Sequence, residues 1–222
     1  MTLFAPASAD DRRLATDFVG RVAQLDPAGL VRLAACADAA GVDLWARAGF
    51  GVVATTRVAG RIEPDPLTVY ATNLVAALAV SRAEAVDAGT DAGDQWSMQL
   101  PPTDGWSPIG ELTMADLERE VRAAKPVAER AVRIDRADEL RAKTKATVPP
   151  VVLDQALMTV RTEQVRVPIS MRMLFALSGM GFADAGAEAV GAIHVWVTPT
   201  WLRLDAPLGS VARRRMADLP LL

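Results

Sequence analysis

Between Leu67 and Val80 the chain has almost no polar surface. Leu67, Tyr70, Ala71, Leu74, Val75 and Leu78 recur at the i, i+3, i+4, i+7 spacing of one helix face. Val69, Ala76, Ala77 and Val80 carry the apolar surface most of the way round, and Thr68, Thr72 and Asn73 leave a thin polar edge. A helix with so little polar surface must be covered by the rest of the molecule. The sequence therefore predicts a central helix over 66–83, opened by Asp65-Pro66 as cap and first turn. The run is too short to cross a bilayer.

The remaining chain has to supply that cover. With 222 residues, 51% of them hydrophobic, it is long enough to bury a core unaided, and a single globular unit over 1–222 is expected. The N-terminal half reads as helical. Asp10 caps a helix to about Leu25, with Leu14, Phe18, Val22 and Leu25 on one stripe, and Asp26-Pro27 opens a second through Leu30, Leu33, Ala34 and Ala37. From Phe50 to Ile62 the period drops to two, as in a strand with one face buried, and Val53, Thr55, Arg57 and Arg61 share its other parity. Residues 85–111 read as one long irregular loop. It is mobile in its acidic first part and ordered around Trp96 and Trp106.

Thr113 then caps a helix, with Leu112 and Leu117 as a hydrophobic staple, and Pro126 breaks it before a charged continuation to about Lys145. The last third reads as two hairpins, around Glu163-Gln164 and across Pro199, with a short helix after Ser170 between them. The resulting expectation is an α+β fold: a helical N-terminal half packed around a central helix, then a C-terminal antiparallel sheet with a short helix.

Much chemistry is excluded by composition. One cysteine, Cys36, and one histidine, His194, cannot build an ordinary structural zinc site. Asp87, Asp91 and Asp94 lack the spacing of a calcium loop and read as a solvated linker. Gly49-Phe50-Gly51-Val52-Val53-Ala54 has the letters of a dinucleotide loop, but a strand follows where the phosphate needs a helix N-terminus. No nucleophile elbow is present, and His194 reads as a structural side chain on a strand. No metal or cofactor is expected, and no motif matches a characterised family. A net charge of −3 argues against a nucleic-acid footprint, with Arg213, Arg214 and Arg215 as a solvated basic run. The lone cysteine and the absence of a secretory signal in Met1 to Arg13 fit a cytoplasmic protein.

Two function classes remain. The first is a non-enzymatic protein that binds a protein partner or its own copies, with Trp96 and Trp106 as the interaction residues. The second is an enzyme or sensor for a small anion. In that reading Arg47, Arg57 and Arg61, with Thr55 beside them, clamp a carboxylate or phosphate, and a loop carboxylate such as Asp104 is its acid or base.

Overall fold

The computed structural model describes residues 2–36, 41–127, 150–161, 166–182 and 191–215. Its architecture corrects the expected fold class, because antiparallel sheet dominates both halves of the chain. The N-terminal half runs β1 (Leu3–Pro6), α1 (Ala9–Leu25), β2 (Leu30–Ala35), β3 (Gly41–Arg47), β4 (Val53–Glu63), β5 (Leu67–Tyr70), α2 (Ala71–Val80) and β6 (Val86–Asp87). The C-terminal half runs β7 (Ser107–Thr113), helical residues 114–127 (α3), α4 (Pro150–Leu153), β8 (Ala156–Arg161), β9 (Arg166–Ser170) and α5 (Met171–Gly179). Strands β10 (Ala192–Val197), β11 (Trp201–Ala206) and β12 (Gly209–Arg214) complete it.

Two misread segments account for the correction. Leu30, Leu33 and Ala34 fit a helical template, yet burial alternates along β2, with Val31 and Leu33 inward, so the period is two. Ahead of it Asp26 turns the chain rather than starting a helix, since its carboxylate accepts from Ala28 N at 3.0 Å. The predicted helix over 66–83 is real only from Ala71. Leu67–Tyr70 instead pairs with β2, as the β-branched and aromatic residues Thr68, Val69 and Tyr70 favour. Asp65 closes this corner by accepting from Ala35 N at 3.0 Å.

Other expectations match in part. Helix α1 begins two residues early, capped by Ser8 rather than Asp10, and Ser8 Oγ accepts from Asp11 N at 3.1 Å. Thr113 Oγ1 accepts from Asp116 N at 3.0 Å at the start of α3, and Leu112 and Leu117 are both buried. The expected break at Pro126 is corrected, since the helix runs through it to residue 127; the expected continuation lies outside the described residues. The hairpins β8–β9 and β10–β11 form and α5 follows Ser170, but the first hairpin is shorter than expected: Pro150–Leu153 is helical, its strand begins at Ala156, and the expected turn at Glu163-Gln164 lies outside the described residues.

The main sheet runs β5-β2-β3-β4-β12-β11-β10-β7, with β1 on the far end of β4 and β6 beside β1. Every pairing in it is antiparallel. Helices α1 and α2 pack against each other and onto one face, which we call inner, where Val31, Leu33, Leu44, Ala54, Val58, Leu204 and Val211 join one core with Phe18, Leu74 and Leu177. The two halves meet where β4 pairs with β12, through Ser210–Thr55, Val211–Ala54 and Ala212–Val53. Phe18 of α1 stacks on Phe182 beside this join, with ring centroids 6.2 Å apart.

Candidate interaction cleft

Period-two alternation sends Trp45, Val53, Thr55, Arg57, Ala212, Arg203 and Trp196 to the outer face of the sheet. The connection from β6 to β7 lies across that face. At its start Asp91 Oδ1 accepts from Thr68 N and from Gly93 N, each at 3.1 Å, and Ala92 N donates to Thr68 O at 2.7 Å. These bonds cover the end strand of the sheet. Further along, the Arg32 guanidinium lies 5.9 Å from the Trp96 ring. Met98, Leu100 and Trp106 then pack with Trp45 over Val53, Trp201 and Ala212. Arg203 sits 4.5 Å above the Trp106 ring and 5.6 Å from that of Trp196, a cation–π stack that seats the end of this strap. The Trp106 Nε1–H donates to Pro102 O at 2.9 Å, so its one polar group is satisfied inside the strap.

Where the strap passes the β3–β4 hairpin tip and the end of β12, a cleft of 480 Å³ opens. Phe50, Gly51, Val53 and Trp201 form its apolar floor, Met98 and Gln99 its strap wall, and Arg172, Arg213, Arg214 and Arg215 its charged side. The tip is built from three successive left-handed residues, Gly49 (φ 79°), Phe50 (φ 55°) and Gly51 (φ 73°). Glycine adopts that region freely, whereas a phenylalanine there costs about 1–2 kcal/mol. Phe50 nevertheless is 41% exposed and lines the cleft, so the strain is not offset by burial in the core.

Arg172, at the start of α5, grips Asp154 with two bonds (Nε–Oδ1 2.7 Å, Nη2–Oδ2 2.9 Å) and donates Nη1–H to Phe50 O at 3.1 Å. Arg213 reaches the same carboxylate at 2.9 Å. The Arg172 hydrogen bonds outweigh burial and, with the charges of Arg213 and Arg172, hold the Asp154 carboxyl below the usual aspartate range. A depressed folded pKa stabilises the fold fully above the unfolded value of about 3.9, and that stability is lost as pH falls through the folded value. Wild type is therefore expected to lose melting temperature more steeply below about pH 4 than Asp154→Asn, which lacks the titrating group. Parallel melting curves between pH 5 and pH 2 would show that this carboxylate is not coupled to folding.

Arg47, Arg57 and Arg61 are not gathered into one of the described cavities. Arg47 lines a separate 270 Å³ hollow beside Trp96 and Asp26. Arg57 is held by Asp43 in two bonds, at 2.7 and 3.2 Å. Arg61 lies opposite Ala5 on the β1–β4 pairing and lines a third hollow with Glu84. Thr55 sits between Trp45 and Ser210, and its buried hydroxyl has no hydrogen-bond partner among the described residues. Trp96 and Trp106 both belong to the strap. His194 Nδ1 lies 3.1 Å from Glu111 Oε1 on the sheet surface. Among the described residues no three His, Cys, Asp or Glu side chains converge as metal ligands. No described helix is long and apolar enough to cross a membrane.

Residues 101–218, just over half of the chain, match the family described as Domain of unknown function (DUF8185), and the chain belongs to that family. Residues 1–98 match a second, described as Domain of unknown function (DUF8010). The two matches meet within the strap. No curated protein matches the sequence. Solved structures do match the fold. A DNA polymerase sliding clamp from Bacillus subtilis superposes with a TM-score of 0.57 at 13% identity, covering 99% of this chain and 66% of that one. The DNA polymerase III subunit beta from Pseudomonas aeruginosa gives 0.56 at 12% identity, covering 98% and 66%. The pol III beta of Caulobacter crescentus gives 0.54 at 13% identity, covering 96% and 65%. The chain thus has a sliding-clamp-like fold and spans about two thirds of the length of these clamps.

Proposed function

We propose that this protein works by binding rather than by catalysis, docking an extended acidic segment of a partner protein in the Phe50–Arg214 cleft. The observation that carries the reading is the cleft's composition: a strained, exposed Phe50 beside four arginines, on a fold shared with polymerase clamp subunits. An aromatic ring and guanidinium groups around an open cleft suit a segment that offers one apolar anchor and carboxylates. The small-anion reading is weaker in its first form, because Arg47, Arg57 and Arg61 line no common cavity. Anion chemistry belongs instead to Arg172 and Arg213–Arg215.

The fold also reopens nucleic acid as a partner, since the matching structures are of DNA polymerase clamp subunits. The exposed charges of α1 and α3 are mixed: Asp10, Arg13, Asp17 and Arg21 on one, Glu118, Arg119, Arg122 and Lys125 on the other. That mixture favours protein over a polyanion. The test is calorimetry with leucine-containing octapeptides, acidic against basic, and with a DNA duplex at low salt. Acidic peptide alone should bind. Phe50→Gly should weaken that binding about tenfold, equivalent to about 1.4 kcal/mol, while leaving the melting temperature equal or higher because backbone strain is relieved. Equal binding of acidic and basic peptides, or binding of the duplex alone, overturns the reading. Self-association through the cleft would appear as a dimer in light scattering that Phe50→Gly dissociates.

A further inference from the structure

The four arginines of the cleft are not equivalent. Arg172 and Arg213 already share the Asp154 carboxylate. Arg214 Nη1 instead donates to Gln99 Oε1 at 3.1 Å, and Arg215 Nη1 donates to the Thr198 carbonyl at 3.2 Å, both neutral acceptors. A carboxylate bonds a guanidinium roughly twice as strongly as a neutral acceptor does. An incoming carboxylate therefore outcompetes Gln99 at Arg214, whereas at Arg172 it would have to displace one of its own kind.

Gln99 belongs to the strap, and the way the strap is fastened gives that exchange a consequence. Among the described residues, no backbone–backbone hydrogen bond involves residues 97–106. The segment is held by side chains: Met98, Leu100 and Trp106 against the sheet, Gln99 to Arg214, and the Trp106 ring under Arg203. A strand shifts only by breaking its ladder, but a segment held this way moves by sliding side chains. Met98 and Gln99 are also the cleft wall itself.

We infer that the strap is the ligand-responsive wall of the cleft: a carboxylate arriving at Arg214 displaces Gln99, and the strap's shift is passed seven residues along to the Trp106–Arg203 stack. The inference rests on the docking reading above and adds how the site is regulated. Gln99 is exposed, so substituting it leaves the core untouched.

The experiment titrates the full chain with the acidic leucine-containing octapeptide and reads heat and tryptophan emission together. Wild type should give both signals. Trp106→Phe should keep the heat and lose most of the emission change. Gln99→Glu places a carboxylate of the chain's own on Arg214, so its affinity should fall at least tenfold and its emission stay at the unliganded value. Heat without an emission change in wild type overturns this inference and leaves the docking reading standing. So does an emission change that persists in Trp106→Phe, or wild-type affinity in Gln99→Glu. Absence of heat with wild type overturns the docking reading, and this inference falls with it.

Discussion

Leu74→Asp is expected to abolish the folded state. Leu74 sits in the middle of α2 with no exposed surface, inside the core shared by α1, α2 and the inner sheet face. Removing a buried leucine side chain costs about 2–5 kcal/mol, and an ionised carboxylate left without a partner in the same space adds several more. Domains of this size are stable by only about 5–15 kcal/mol, so the two terms together consume most or all of that margin. The variant should accumulate as insoluble protein or melt without a cooperative transition. Val80→Asp is the matched control: the same helix and the same kind of change, but at a side chain 83% exposed, where surface substitutions stay within about 0.5 kcal/mol. A soluble Leu74→Asp protein that melts cooperatively would mean that α2 does not occupy the core.

The same helix shows where the sequence was legible and where it was not. Its apolar character was readable, and so was the burial of Leu74 and Leu78. Its length was not, because Leu67, Val69 and Tyr70 satisfy a helical spacing while their partners on β2 draw them into a ladder. Pairing with a distant strand leaves no local trace, and β2 was lost for the same reason. β12 was lost in another way: Arg213 and Arg214 look like a solvated tail until the strand brings both to one cleft. The strap was half legible. Two tryptophans in a polar loop announced that it covers something, but the sheet face beneath it comes from both halves of the chain. Of the cleft, the local signals were the Arg213–Arg215 run and Gly49-Phe50-Gly51, which fails as a phosphate loop and left the exposed aromatic between glycines unexplained. Arg172 and Asp154 lie 18 residues apart with a hairpin between them, so only the β8–β9 pairing brings them together.

Gly209→Ala should strike the join between the two halves, and with nearly the force of a core substitution. Gly209 opens β12 in the turn from β11, and an added Cβ would lie 2.5 Å from Phe182 Cζ and 2.6 Å from the Thr55 carbonyl oxygen. The first contact pushes against the ring stacked on Phe18, and the second against the backbone of β4. Neither can yield cheaply, because the ring is buried on both sides and the carbonyl belongs to the three-pair ladder that joins the regions 1–98 and 101–218. Thr56 Oγ1, which donates to Leu208 O at 2.8 Å, fixes the turn to β4 from the other face, so the loop cannot simply lift away. Overpacking of this kind costs about 1–3 kcal/mol, and the backbone contact places this case at or above the upper end. Gly179→Ala provides the contrast, since an added Cβ there meets nothing within 4 Å, and it should be neutral or stabilising by up to about 1 kcal/mol. Urea unfolding of both variants measures the difference. A broadened or two-step transition in Gly209→Ala would show that the halves unfold separately once their shared ladder is pried apart, whereas a single transition at the wild-type midpoint would mean that the join carries little of the fold's stability.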